Sequence, residues 1–404
     1  MTFLRFNIIV FCIALALRLG LLFGHHDSYK AEQVDSMDYK QIATNLINGK
    51  GFISGDGLPT NKRPPVYIVF IASFYKYLGT NDAYIKFFQC VLSAVSVLFL
   101  FMICADIFNK QTAILSAIIA ACYPPLIIYS NIMLTETLFI FLILAECLMF
   151  IKALKQQDNK YLYYKGVLHG ISTLCRSTLI FIPVFELAII ALSPGRKKLF
   201  KGFVIYLLIS SSIISIWTIR NYRTFNVFMP VCAASGTLMW YLTQNNVWQN
   251  DLFVEPSMET AKKLYPEING LKQNEYEPIL AHKAMLYALN NPVDYLKKML
   301  INEKQLWFLP VGKVLLENRS VKLASLYKGL FVIAVLLSFA GMIFSCVELG
   351  LTAMPVLMYI LYIAIVHAPL MAIPRYRLPF EPFMIMFFSY FIVRLINRGS
   401  ESKA

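Results

Sequence analysis

Charged side chains are scarce in this sequence. Asp, Glu, Lys and Arg make up 15% of its 404 residues, and hydrophobic residues make up 58%. A soluble domain carries about a quarter charged residues, so the composition excludes an ordinary soluble globular chain. Paired cysteine motifs are missing as well. Cys12, Cys90, Cys104, Cys122, Cys147, Cys175 and Cys346 lie in apolar runs and Cys232 stands alone, with no CxxC and no Cys/His cluster. That pattern argues against disulfides and against a zinc site. There is no internal repeat and no low-complexity segment. A single basic residue, Arg5, precedes the first apolar run, and no small-residue cleavage site follows it. The run therefore reads as a retained first helix rather than a signal peptide.

What is there is mostly hydrocarbon-soluble helix, and the fold class expected is an all-α integral membrane protein. A membrane helix needs about 20 apolar residues. Candidate spans are 6–24, 84–108, 113–130, 133–151, 200–217, 330–347, 352–369 and 378–396. Two stretches are ambiguous: 64–78 is short and carries Lys76, and 166–192 is long for one helix with Arg176 in its middle. The bundle then holds about 10–11 transmembrane or re-entrant helices.

The net charge is +14. In this chain it reads as basic loops beside spans, in contact with anionic lipid, rather than as a nucleic-acid surface. Basic loops at 152–165, 196–201 and 394–403 belong on the cytoplasmic side with Arg5. Residues between the first two loops must then cross twice, so 166–192 becomes two short helices meeting near Arg176 at the outer face. By parity, 64–78 becomes a re-entrant or surface-lying helix. The alternative makes both single spans and puts the 152–165 loop outside. On the first topology, four polar regions share the outer face: 25–63, 131–136, 218–327 and 373–377. Residues 1–217 form an N-terminal membrane module, 218–327 an extracytoplasmic helical region, and 328–404 the closing helices and tail. Within 218–327, residues 273–290 have helical periodicity, and Asn291-Pro292 starts another helix.

Several polar residues on that face carry two readings each. Asp35 and Asp38 are three apart and share a helix face. They are a helix cap and solvated surface, or a general base at the membrane boundary. Lys62 and Arg63, ahead of Pro64-Pro65, are a headgroup anchor or a phosphate-binding pair. Glu136 is a dipole-favoured charge at a helix start or a cavity-lining group. Arg18, Arg176, Arg220 and Arg375 fall near outer ends of spans, where an arginine snorkels or faces a polar cavity. Gly49, Gly51, Gly55 and Gly57 lack the strand that a dinucleotide loop requires and read as turns. His25-His26-Asp27 has no distant partner to complete a metal site.

The order of these pieces resembles the polytopic GT-C glycosyltransferases of the protein O-mannosyltransferase and lipid A aminoarabinose transferase type (glycosyltransferase family 39-like). After the first span come Asp35-Ser36, Tyr39, Ala43, Leu46 and Gly49, then Arg63-Pro64-Pro65 and Tyr67. Further on are Pro124, Thr135-Glu136, Arg176, Trp217-x-x-Arg220-Asn221 and Arg375-Tyr376-Arg377-x-Pro379. The resemblance implies a GT-C bundle and inverting transfer of a sugar from a polyprenyl-phosphate donor to a lipid, glycan or protein acceptor outside the membrane. It implies a bacterial inner-membrane enzyme of cell-envelope glycan synthesis with Asp35 as general base. Arg63, Arg220, Arg176 and Arg375 would bind the donor phosphate. Asp38, Tyr39, Glu136 and Tyr376 would touch sugar or acceptor. No metal or other cofactor is required by this scheme. Aminoarabinose transferases have Glu and then Arg between the Asp and the Tyr, where this chain has Ser36 and Asp38. A lipid flippase or transporter, or an O-antigen ligase or polymerase, is the rival reading.

Overall fold

A computed structural model of the chain describes residues 3–24, 33–233, 235–244, 248–249, 252–253, 257–311 and 321–401. The His25-His26-Asp27 reading lies outside them. Among the described residues, six helices are long and apolar enough to cross a membrane, and four apolar helices are shorter. The chain is an all-α membrane protein; among the described residues the strands are a two-residue antiparallel pair, Trp248–Gln249 against Leu252–Phe253.

The first half runs α1 (Phe3–Gly24), α2 (Gln33–Ile47), α3 (Pro65–Leu78), α4 (Asp82–Ile107), α5 (Lys110–Cys122), α6 (Pro124–Tyr129), α7 (Glu136–Gln156), α8 (Lys160–Cys175), α9 (Ile182–Leu192) and α10 (Arg196–Phe225). Helix α7 is the hub. It packs on α4, α8 and a later helix, and its residues from Glu136 to Ala153 are almost all buried. Helix α1 lies at the edge, with Leu4, Ile8, Ile9 and Leu17 exposed to the hydrocarbon. At about 1.5 Å per residue, the 14 residues of α3 cover roughly 21 Å, short of the ~30 Å hydrocarbon thickness. Its buried face packs on α2, α4 and α8.

The long apolar run 113–130 is broken at Tyr123-Pro124, because proline cannot supply the amide that would continue α5. Arg18 serves that break. Its guanidinium donates to the carbonyls of Ala14 at 2.8 Å, Ala121 at 3.1 Å and Ala120 at 3.4 Å, and to the Ser93 hydroxyl at 2.7 Å. Arg18 is thus a buried cap for carbonyls that lack helical partners, and it stands apart from the other outer arginines.

The 166–192 stretch divides as expected. Helix α8 stops at Cys175, Arg176 is extended (φ −145°, ψ 121°), and one 3-10 turn, Ser177–Leu179, leads into α9. Helix α8 begins at Lys160, earlier than the sequence suggested, and that corrects the placing of Lys165. Lys165 lies inside the helix and is fully buried, not in a cytoplasmic loop. Its ammonium is 3.0 Å from Glu146 and 2.7 Å from Glu186, and His169 is 3.2 Å from Glu146. Helices α7, α8 and α9 are therefore joined by charge inside the bundle. Helix α8 also lies close against α10 along Gly166 and Gly170. A Cβ on Gly166 would stand 2.9 Å from the Tyr206 carbonyl, and one on Gly170 2.8 Å from Ile213, the small-residue packing typical of membrane helices.

The second half holds α11 (Ser235–Thr243), α12 (Met258–Leu264), α13 (Gln273–Asn290), α14 (Pro292–Phe308), α15 (Val321–Leu349), α16 (Met354–His367), α17 (Pro374–Arg377) and α18 (Glu381–Glu401). Helices α11 to α14 build a second, smaller core around Trp240, Ile268, Leu280 and Tyr295. It is tied to the turn after α16. Tyr295 donates to the Pro369 carbonyl at 2.9 Å, Asn302 donates to Leu370 at 3.0 Å, and the Met371 amide donates to Leu238 at 3.0 Å.

Candidate active site

Four segments distant in sequence converge on the face that carries α2. Helix α2 begins at Gln33, two residues before Asp35, so Asp35 sits in its first turn and not at its cap. A carboxylate is still favoured there by the helix dipole. The buried side of α2, Tyr39, Ile42 and Ala43, packs on α3. The Ser36 hydroxyl donates to the Met133 carbonyl at 3.0 Å and pins α2 beside the start of α7. Arg63 precedes Pro64, which is extended (ψ 152°), and Pro65, which opens α3. Proline at a helix's first position costs no hydrogen bond, so the chain direction just after Arg63 is fixed.

Asp35 is held from both sides. Arg63 donates to its Oδ1, and Arg375 donates to its Oδ2 at 2.6 Å. Arg63 also reaches Asp38 at 3.1 Å, and Lys62 is 3.0 Å from Asp38. The Arg63 guanidinium lies 5.1 Å from the centre of the Tyr39 ring. Below them, Glu136 Oε1 accepts from Arg176 at 2.9 Å and lies 3.4 Å from Arg375 Nε. Arg176 is sandwiched between the rings of Phe139 at 5.6 Å and Tyr376 at 5.7 Å. The structure therefore brings Asp35, Asp38, Tyr39, Arg63, Glu136, Arg176, Arg375 and Tyr376 together. Lys62, Arg63, Arg176 and Arg375 set four positive charges against the three carboxylates.

Arg220 is placed elsewhere. Its guanidinium donates to the carbonyls of Thr60 at 2.9 Å and Phe52 at 3.1 Å, and lies 4.7 Å from the Trp217 ring. A phosphate ligand was expected there. The Arg220 guanidinium holds the loop that leads to Arg63, because the end of α10 passes beside residues 52–60.

The charges act on each other. Burial alone would push the Asp35 carboxyl up, but Arg63 and Arg375 outweigh it and hold its pKa at about 2. Burial works against the charge of Arg63 too, and the neighbouring Tyr39 and Asp35 more than offset it, so Arg63 is held more firmly protonated than usual. Burial pushes the Tyr39 phenol up to about 12. Among the described residues, no three His, Cys, Asp or Glu side chains gather as metal ligands would.

Two cavities meet at this cluster. One, about 440 Å³, is lined by Arg63, Glu136, Arg176 and Arg375 and also by apolar groups such as Phe181 and Val366. The second, about 590 Å³, is more polar and is lined by Asp38, Asn61 and Asp56 and by residues 271–274 ahead of and within α13. Lys62 and Arg63 line both. Sequence reasoning missed His367, which lines the first cavity. Its only signal was a lone histidine near the end of an apolar run.

The comparisons with known proteins bear on this arrangement. A family model described as dolichyl-phosphate-mannose-protein mannosyltransferase matches residues 62–220. That segment includes Arg63, Glu136 and Arg176 but neither Asp35 nor Arg375. The structure of the Archaeoglobus fulgidus oligosaccharyltransferase in the apo form matches with a TM-score of 0.60 at 14% identity, over 98% of this chain and 50% of that one. The Archaeoglobus fulgidus oligosaccharyltransferase in complex with an inhibitory peptide and a dolichol-phosphate matches at 0.59 and 13%, over 99% and 52%. The fold is that of the GT-C membrane glycosyltransferases. The chain spans about half the length of the oligosaccharyltransferase it matches. A transferase from Cupriavidus metallidurans bound to undecaprenyl phosphate has a TM-score of 0.45 at 11% identity, over 97% of this chain and 78% of that one, too slight a likeness to rest an argument on. No curated protein matches the chain in sequence.

Proposed function

We propose that this chain is an inverting glycosyltransferase. It takes a sugar from a polyprenyl phosphate and passes it to an acceptor hydroxyl at the outer face of the membrane. The observation that carries the reading is Asp35, held between Arg63 and Arg375, two arginines that line a cavity with both cationic and apolar walls. That mixed lining suits an amphiphilic phosphate, whose charged head meets arginines while its chain follows apolar wall residues. A solved protein of the same fold binds dolichol-phosphate, which supports the same class of lipid.

The donor phosphate lies against Arg63, Arg176 and Arg375 in the first cavity, and the acceptor enters from the second. The acceptor oxygen attacks the anomeric carbon opposite the phosphate, a new C–O bond forms, and the bond to phosphate breaks. The acceptor proton goes to Asp35. The guanidiniums stabilise the charge growing on the leaving phosphate. Asp35 with a pKa near 2 is a weak base. A phosphate that draws Arg63 and Arg375 toward itself removes the charges that depress Asp35, so donor binding raises its basicity. Arg220 positions the first loop. On this reading, residues 1–217 form the catalytic module, 218–327 cover the site and help choose the acceptor, and 328–404 close the bundle and supply Arg375. The basic loops on the opposite side support an outward-facing site, and the reading sets it at the outer face of a bacterial inner membrane.

The test is transfer of labelled sugar from polyprenyl-phosphate donors in membranes containing wild type, Asp35→Asn or Arg63→Ala. Turnover by wild type and its loss in both folded variants is the expected result. Full activity of Asp35→Asn sinks the reading.

A further inference from the structure

The first cavity contains two polar atoms that the protein itself leaves unanswered. Glu136 is 1% exposed, and both of its arginine contacts fall on Oε1. Its Oε2 is buried and has no hydrogen-bond partner. His367 is 4% exposed, and its Nδ1 is buried without a partner. The ring is fixed in place. It stands edge-on to Tyr376 at 5.6 Å, and its backbone carbonyl accepts from Asn302 at 3.3 Å. Tyr376 lies in turn against Arg176, whose guanidinium binds Glu136. Glu136 and His367 thus flank Arg176, one by an ion pair and the other through a shared aromatic ring. Leaving such groups buried and unpaired costs free energy, and at a cavity wall it points to a ligand that pairs them.

Resting on the glycosyltransferase reading, we propose that Glu136 and His367 hold the sugar of the donor, with the phosphate beside them on the arginines. A carboxylate oxygen can only accept, so Glu136 Oε2 needs an O–H or N–H donor and repels a phosphate. A neutral imidazole nitrogen pairs with a hydroxyl in either tautomer. The cluster also limits the sugar's charge. A uronic acid would bring a carboxylate against Glu136, and an amino sugar, although its N–H pairs Oε2, would bring a cation beside Arg176 and Arg375. The fitting group is an uncharged sugar with free hydroxyls. A site built to pair a hydroxyl discriminates strongly against ligands that leave it unpaired. His367 then sets donor specificity without entering the chemistry.

The experiment measures binding of four lipids to the purified full chain in nanodiscs: bare undecaprenyl phosphate, and the same lipid carrying mannose, arabinose or 4-aminoarabinose. Wild type is expected to bind at least one neutral sugar lipid roughly tenfold more tightly than the bare lipid. His367→Phe removes that preference while binding of the bare lipid stays within about twofold, and Glu136→Gln removes it while the bare lipid binds as well or more tightly, because Arg176 and Arg375 lose a competing carboxylate. His367→Asn, which keeps a polar group near the Nδ1 position, retains part of it and guards against a packing defect in the Phe variant. An unchanged preference in folded His367→Phe overturns the proposal, as does tighter binding of the amino sugar or no sugar preference in wild type. If wild type binds neither bare nor sugar-bearing lipid, the glycosyltransferase reading falls and takes this inference with it. Retained binding of the bare lipid keeps the two failures apart.

Discussion

Arg375 donates to Asp35 Oδ2 at 2.6 Å across 340 residues of sequence. One contact thereby joins the first outer helix to the turn before the last membrane helix. The same arginine reaches Glu136 at the start of α7, so three ends of the bundle are tied at the point where the proposed base sits. The contact also depresses the basicity of Asp35, and the first two predictions concern that coupling.

Asp35→Asn keeps the shape of the side chain but cannot take a proton at neutral pH. Transfer should fall by about 10²–10⁴, the range of general-base catalysis. Donor binding should hold or tighten, because Arg63 and Arg375 lose a competing carboxylate. Rates of labelled transfer and lipid binding measured on the same preparation check this. A variant that loses binding and turnover together shows Asp35 to be structural.

The pH dependence follows from the sign of the shift. The Asp35 carboxyl is held near 2 in the folded chain, against 3.8 ordinarily. Its ionised form therefore favours the folded state above about pH 4, and that contribution disappears as pH falls through about 2. For catalysis, kcat/KM reports the free enzyme and kcat the bound complex. The acid limb of kcat should lie at higher pH than any Asp35 limb in kcat/KM, because bound phosphate draws the arginines away. Arg375→Gln should move the free-enzyme limb upward. Profiles of both constants taken from about pH 2 up to about pH 8 decide it, and superimposed limbs refute the coupling.

Much of this was legible in the sequence. Six of the eight expected spans appear as helices long enough to cross, while 113–130 is broken at Tyr123-Pro124 and 352–369 holds only the 14-residue α16. The break at Arg176 followed from basic loops on both sides of 166–192, and α13 from its periodicity. The residues of the cluster stood at the ends of those spans. What the sequence hid was pairing across the bundle. Nothing local distinguishes Arg220, which serves the backbone of Phe52 and Thr60, from Arg375, which serves Asp35. Arg18 was hidden the same way, because carbonyls left by the Tyr123-Pro124 break are its partners. Lys165 was misplaced because a basic residue near a loop reads as a loop residue until its two carboxylate partners, 19 residues before and 21 after it, are brought together.

Arg220→Ala should loosen the first loop without removing a phosphate ligand. The expected result is faster proteolysis between residues 51 and 61 and a fall of about tenfold in kcat/KM for the acceptor. Binding of bare polyprenyl phosphate should stay within about twofold. Arg220→Lys should rescue little, since one ammonium cannot span two carbonyls in the way a planar fork does. If lipid binding collapses while the loop stays protected, Arg220 contacts the donor after all.

The buried Glu146–Lys165–Glu186 group makes a separate prediction about stability. Lys165→Met leaves two carboxylates facing each other in the bundle with neutral partners such as Ser172 and Tyr206, and His169, nearby. Breaking a buried pair from one side costs about 3–5 kcal/mol, so the variant should lose a large share of its thermal stability in detergent. Replacing all three by similar-sized neutral groups, with Glu146→Gln and Glu186→Gln added to Lys165→Met, should recover much of that loss, because no charge is then left unpaired. A Lys165→Met variant as stable as wild type would mean that the carboxylates are protonated in the membrane. Recovery of stability without recovery of transfer would instead assign the group a part in placing Arg176. Ser172, one turn before it on α8, donates to Glu146, and its carbonyl accepts from the Arg176 amide at 2.8 Å.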